Sequence, residues 1–237
     1  MIAVFVNMAT VLVGSLLGIL LKNRLKQSLQ EALMKALALC TALIGIQSAV
    51  GTADVLCVIV CMVIGTGLGE ALRIDDGIEH AGDWIKGKLF KNGGGESRFT
   101  EGFVSACILF CIGSMTIVGS LEAGIRHDYS IIYAKSTLDF VSSMAFGAAM
   151  GIGVTGSVLF ILLFQGGLTL LSGLLAPVLS AAAVTEMSAV GGVILIGMAI
   201  NMLGLGKERI RVANMLPAIF LPIAYLPLAE ALSKLIK

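Results

Sequence analysis

Charge is what this chain has least of. Only 13% of its 237 residues are Asp, Glu, Lys or Arg, where soluble domains carry about a quarter. So few charges cannot cover a water-soluble fold of this size. With 57% hydrophobic residues and a mean hydropathy of +0.99, the composition is that of a polytopic membrane protein. The formal net charge of +1 gives no electrostatic case for a nucleic-acid partner. Histidine is nearly missing: His80 and His127 are the two, and neither has a metal-ligand partner at fixed spacing. No Walker A, HExxH or GxSxG motif occurs, and "GTGLGE" at Gly65–Glu70 closes an apolar run rather than following a strand. The expectation is therefore no enzyme, no catalytic residue, no metal and no cofactor. Proline is scarce too, with 4 residues, and three of them, Pro217, Pro222 and Pro227, fall at intervals of five in the last apolar run. Each lacks an N–H donor, which predicts a kinked or locally opened helix there.

The five cysteines include two i, i+4 pairs, Cys57/Cys61 and Cys107/Cys111. The pairs belong to opposite ends of neighbouring spans, roughly 13 Å apart in depth at a helical rise of 1.5 Å per residue. Zn–S bonds are only about 2.3 Å, so small apolar packing residues are the better reading. What is abundant is glycine, at 29 residues, which suits helices that approach closely in a bilayer.

A run of about 20 apolar residues crosses a bilayer. Eight runs qualify: 2–21, 32–50, 53–72, 102–121, 133–152, 155–175, 190–206 and 213–232. The first has no basic n-region and is too long for a signal-peptide core, so it reads as a span. Segment 177–189 is apolar but short, and is either a re-entrant half-helix or an extension of a neighbouring span. Basic residues cluster at 22–35 (Lys22, Arg24, Lys26, Lys35), 73–101 (Arg73, Lys86, Lys88, Lys91, Arg98) and 207–212 (Lys207, Arg209, Arg211). Arg126, Lys135, Lys234 and Lys237 fall on the other side. By the positive-inside rule, eight spans place the three basic loops in the cytoplasm and both termini outside. In the first long loop, Ile74, Ile78, Ala81, Ile85 and Leu89 recur at helical spacing, with acids before bases, which predicts an amphipathic helix over 74–91 lying in the membrane interface.

The letters SAVG occur twice, at Ser48–Gly51 and Ser188–Gly191. Each is preceded by a Gly-x-x-x-Gly pair, Gly14/Gly18 and Gly147/Gly151, and followed by Gly-Leu-Gly, Gly67–Gly69 and Gly204–Gly206. The order predicts an all-α bundle of about eight transmembrane helices built as a 4+4 parallel internal repeat, 1–121 and 122–237, in one integral membrane domain. An inverted repeat requires one miscounted span, and chance matches among glycine-rich helices are the plain alternative. "SAVGG" after Glu186 is the place where a broken helix would free backbone carbonyls.

Polar groups inside a membrane are functional-site hypotheses. Asp139 and Lys135 share a helix face at i, i+4, either to bind a proton or cation or to lock the helix. Asn7, Gln165, Glu186, Ser188 and Asn214 complete the candidate ion- or solute-binding set, with interhelical hydrogen bonding the plain alternative for Asn7, Gln165 and Asn214.

The stretches "VFVNMATVLVGSLLG", "LFCIGSMTIVGS", "DYSIIYAKSTLDF", "SAVGG" and "VANMLPAI", in this order over nearly the whole chain, resemble the YqgA/YdfK-like family of bacterial inner-membrane proteins. That resemblance implies a bacterial plasma-membrane bundle of unassigned function, and supplies no substrate or catalytic residue. The functional expectation is a small secondary transporter or channel for an ion or small polar solute. A non-transporting scaffold or sensor, reporting through the 74–91 helix, is the alternative. The expected surroundings are membrane lipid and further copies of the chain in a homo-oligomer.

Overall fold

The computed structural model describes all residues except 23–25, 79, 81–98, 112–113, 176 and 237. The described residues are helical, with no strand among them. In chain order they form α1 (Ile2–Lys22), α2 (Gln27–Val50), α3 (Val55–Leu72), α4 (Phe99–Cys111), α5 (Ser114–Ile125), α6 (Ser130–Met150), α7 (Gly153–Leu170), the single turn α8 (Ser172–Leu175) and α9 (Ala181–Leu203). A 3-10 helix, Val212–Phe220, and α10, Pro222–Ile236, complete the chain.

The surface is the reverse of a soluble protein's. On α1 the buried stripe holds Ala3, Val4, Asn7, Val11, Gly14, Ser15 and Gly18. Its outward face is Phe5, Leu12, Val13, Leu16 and Leu20, each at least 39% exposed. Small and polar residues face the protein and large apolar ones face out, the pattern expected when the solvent is lipid and close packing drives association. Five helices, α1, α2, α3, α7 and α9, are long and apolar enough to cross a membrane. The pairs α4/α5 and 3-10/α10 qualify as bent spans, which raises the number to as many as seven. Helix α6 has 21 residues, enough to cross, but with Lys135, Asp139 and its Ser and Thr residues it is not among these spans. The chain is a multi-pass membrane protein.

Local chemistry sets the ends. Asp54 caps α3 by accepting from Leu56 N (3.0 Å) and Cys57 N (3.1 Å). Ser180 caps α9 by accepting from Ala183 N at 3.1 Å, so 181–189 is the start of α9, and segment 177–189 extends a span rather than re-entering. Gly204 ends α9 at φ +67°, a left-handed cap that glycine adopts without strain. Two of the three prolines act as expected: Pro217 lies in the 3-10 stretch, Pro222 opens α10, and the two segments bend by 47°, whereas Pro227 lies inside α10. The fourth apolar run is bent as well, by 59° between α4 and α5.

Two expectations change. The second SAVG does not interrupt a helix; α9 runs unbroken through Ser188–Gly191, while the first SAVG lies at the C-terminal end of α2 with Gly51 as its cap. The repeat boundary drawn between residues 121 and 122 falls inside α5. Of the amphipathic 74–91 segment, residues 74–78 are helical, and the remainder, Trp84 included, lies almost wholly outside the described residues.

Candidate functional site

Glycines bring the site together. A Cβ on Gly18 would lie 2.1 Å from Met144 O, and one on Gly14 2.5 Å from Phe140 O. From the other side, a Cβ on Gly147 would lie 2.5 Å from Ser15 O. Partners rise in number together, so α1 and α6 run parallel at backbone distance. Helices α2 and α9 cross in the opposite sense: Gly45 meets Ile196, and Gly192 meets Ser48 and Ala49. The first SAVG segment is thus packed against the residue that follows the second.

Between these two pairs lies a groove of about 490 Å³. Its walls take Gln47, Ser48 and Gly51 from α2 and its cap, Thr116 from α5, Lys135, Asp139 and Ser142 from α6, and Thr185 and Ser188 from α9. Lys135 Nζ donates to Asp139 Oδ2, and both side chains are about nine-tenths buried. The ammonium also stands 6.0 Å from the centroid of the Phe110 ring, within cation–π range. Behind the carboxylate, Asn7 is a further neighbour of Asp139. Asn7 Nδ2 donates to Gln165 Oε1 at 3.0 Å, which ties α1 to α7. Chemically, this is one carboxylate and one ammonium held in apolar surroundings, facing a wall of hydroxyl and amide groups.

The predicted site residues divide by place. Asp139, Lys135 and Ser188 line the groove, and Asn7 and Gln165 lie behind it. Ser188 Oγ donates to Val184 O at 2.8 Å, so it offers the groove its hydroxyl oxygen rather than freed backbone. Glu186 serves the fold. Fully inside the protein, its Oε2 accepts from Thr52 Oγ1 at 2.5 Å, and its Oε1 from Ala53 N at 2.8 Å and Asp54 N at 3.2 Å. Its carboxylate therefore anchors the α2–α3 turn. Glu186→Leu would orphan Thr52 Oγ1 and Ala53 N, each worth about 1–3 kcal/mol if left unpaired, while Asp54 N keeps Thr52 Oγ1 at 3.0 Å. A loss of about 3 kcal/mol in unfolding free energy is expected, read by thermal denaturation in detergent; unchanged stability would show the turn holds itself.

Asn214 sits at the other end of the bundle. Its Nδ2 donates to Glu70 Oε2 at 2.5 Å and its Oδ1 accepts from Asp75 N at 2.7 Å. Arg209 reaches Asp75 at 3.2 Å and Arg211 reaches Glu70 at 3.4 Å. This latch between the two halves of the chain was missed from sequence, although the acidic and basic residues were visible. Thr116 was missed too; the Gly-Ser pair just before it, inside an apolar run, was the available signal. A second cavity of about 450 Å³ adjoins the latch, lined by Thr100, Glu101, Ser105, Asn201, Lys207 and Arg209 among others. No group of three or more His, Cys, Asp or Glu able to hold a metal ion occurs among the described residues.

Comparison with known proteins places this arrangement in a family. The chain is 28% identical over 127 residues to the uncharacterized membrane protein YdfK of Bacillus subtilis, covering 54% of this chain and 55% of that one. It is 30% identical over 172 residues to the uncharacterized protein YqgA of Escherichia coli, covering 71% of each. The match thus spans about half the length of YdfK. No solved structure matches. The family described as protein of unknown function DUF554 matches residues 2–226, and the chain belongs to that family.

Proposed function

We propose that this protein is a small secondary transporter or channel of the bacterial inner membrane, moving an ion or small polar solute past the Lys135–Asp139 pair. The observation that carries the reading is the groove, which joins that pair to both SAVG segments and a wall of Gln, Ser and Thr side chains. Intramembrane charges lining a cavity mark pathways more often than scaffolding. A path also needs a second mouth, and the cavity at the latch provides a candidate. On α4, Ser105 lines that cavity and Leu109 lines the groove, so one helical turn separates the two walls. Buried Ile108 and Met198 belong to the apolar core near this separation.

The reading counts α6 as a span, for eight in all with both termini outside. Packing directions support it: α1 and α6 run parallel, α2 and α9 antiparallel, α3 antiparallel to the 3-10 helix, and α4 parallel to α7. Each relation agrees with strict alternation across eight spans. The internal repeat enters through one pair, α1 and α6, which meet through Gly14 and Gly18 on one side and Gly147 on the other.

The test is flux in proteoliposomes under imposed gradients of Na+, protons, glycine and urea. Wild-type protein is expected to dissipate at least one of them, and Asp139→Asn, shown monodisperse beforehand, to slow that flux by about two orders of magnitude. Equal rates in the two proteins, or no flux with any gradient, would sink the proposal.

A further inference from the structure

Behind the groove, a set of buried polar atoms has no hydrogen-bond partner among the described residues: Asn7 Oδ1, Ser120 Oγ, Gln165 Nε2 and Thr169 Oγ1. They come from α1, α5 and α7. Asn7, Ser120 and Gln165 are fully buried and Thr169 is 6% exposed. In a bilayer interior an unpaired polar group is costly, and three such oxygens together point to something that satisfies them at once.

Their level in the bundle can be read from their neighbours. Ala3, Ala123 and Ile132 pack together. Asn7 is one turn beyond Ala3, Ser136 one turn beyond Ile132, and Ser120 one turn before Ala123. Ser120 also shares its helix face with Thr116, which lines the groove with Lys135 and Asp139. Ser120 is therefore bracketed between the Ala3–Ala123–Ile132 contact and the ion pair. Gln165 joins this level through its bond to Asn7, and Thr169 follows one turn later on α7. Asp139, whose carboxylate neighbours Asn7, supplies the charge on the inner side.

We infer that Asp139, Asn7, Ser120 and Thr169 form a binding site for a small monovalent cation of the Na+ class, set behind the solute groove. The donor set is all oxygen, which suits a hard cation. Gln165 Nε2 is a donor and no ligand; Gln165 acts by holding the Asn7 amide nitrogen, which leaves Oδ1 for the ion. Size follows from the glycines: Gly14, Gly18 and Gly147 hold α1 and α6 at backbone distance, which favours a small ion over an organic solute. The charge balances by exchange. The cation takes the place of Lys135 on the Asp139 carboxylate, and the released ammonium turns into the groove beside Gln47, Ser48 and Thr116. Occupancy behind the carboxylate would then set the charge facing the solute.

The coupling role rests on the transport reading, but the site does not, and the experiment separates them. Purified protein in detergent is melted in NaCl, KCl or choline chloride at equal ionic strength. A ligand that binds only the folded state raises Tm in a saturable way. Na+ is expected to raise Tm above both other salts. Ser120→Ala and Thr169→Val, which change little volume, should each weaken the apparent Na+ affinity by about tenfold, and Asp139→Asn should abolish the shift. Equal Tm in the three salts, or unchanged Na+ affinity in both Ser120→Ala and Thr169→Val, would overturn the site. A Na+-specific shift in protein that moves no gradient would uphold the site and defeat the transport reading. Flux from protein with no Na+-specific shift would do the reverse.

Discussion

Lys135→Met is expected to destabilise the protein by about 3–5 kcal/mol, the range for breaking a buried ion pair from one side. The two side chains are 8% and 10% accessible, so water does little to screen either charge. Methionine fills much of the space of the lysine stem but leaves the Asp139 carboxylate charged, with the Asn7 side chain as its remaining polar neighbour. Asp139→Asn should cost less. The ammonium it strands keeps the Phe110 ring at 6.0 Å, and a four-carbon stem can carry it toward the groove hydroxyls. The double variant Lys135→Met/Asp139→Leu should recover most of the lost stability, because apolar replacement of a buried pair is often neutral. It should nevertheless carry no flux. Thermal unfolding of wild type, Lys135→Met, Asp139→Leu and the double variant in one detergent gives the coupling energy as a double-mutant cycle. Strict additivity, or a Lys135→Met protein as stable as wild type, would mean that the pair is already solvated and is not a buried charge site.

Much of this arrangement was legible in the sequence, for identifiable reasons. Large apolar side chains with few charges announce a membrane bundle whatever the topology. The i, i+4 spacing of Lys135 and Asp139 announces their bond, because helix geometry alone brings them together. The proline spacing in the last run announced its bend. What the sequence hid is long-range. Glu186 stood among the candidate ligands as a carboxylate in an apolar segment; its partners, Thr52, Ala53 and Asp54, lie more than 130 residues away. The partners of Asn214, Glu70 and Asp75, are as distant. The SAVG copies misled in another way. Identical letters suggested identical roles, but one copy ends a helix and the other lies inside one. Their significance is that they adjoin: Gly192, the residue after the second copy, packs against Ser48 and Ala49 of the first.

The second large effect is expected from a single methyl group. Gly18→Ala should destabilise the protein by about 2–3 kcal/mol, whereas Gly67→Ala should be neutral or stabilising by up to about 1 kcal/mol. In an open helix position, replacing glycine by alanine is favourable by close to 1 kcal/mol, since alanine loses less backbone entropy. Gly67 is such a position: nothing lies within 4 Å of the added carbon. At Gly18 the added carbon would lie 2.1 Å from Met144 O and 2.7 Å from Ala148 N. Both are backbone atoms of α6, and no rotamer can move them aside. Ordinary contact begins at 3.4 Å, so the helices must part by about an ångström, and overpacking of this kind typically costs 1–3 kcal/mol. Here the steric term exceeds the propensity term and reverses the sign. The damage should also travel, because the same α1–α6 contact sets Asn7 beside Asp139. Gly18→Ala should therefore weaken the Na+-dependent rise in Tm in protein that still folds, while Gly67→Ala should leave it intact. Similar melting behaviour in the two variants would show that α1 and α6 are not in backbone contact, and the placement of Asn7 would fall with it.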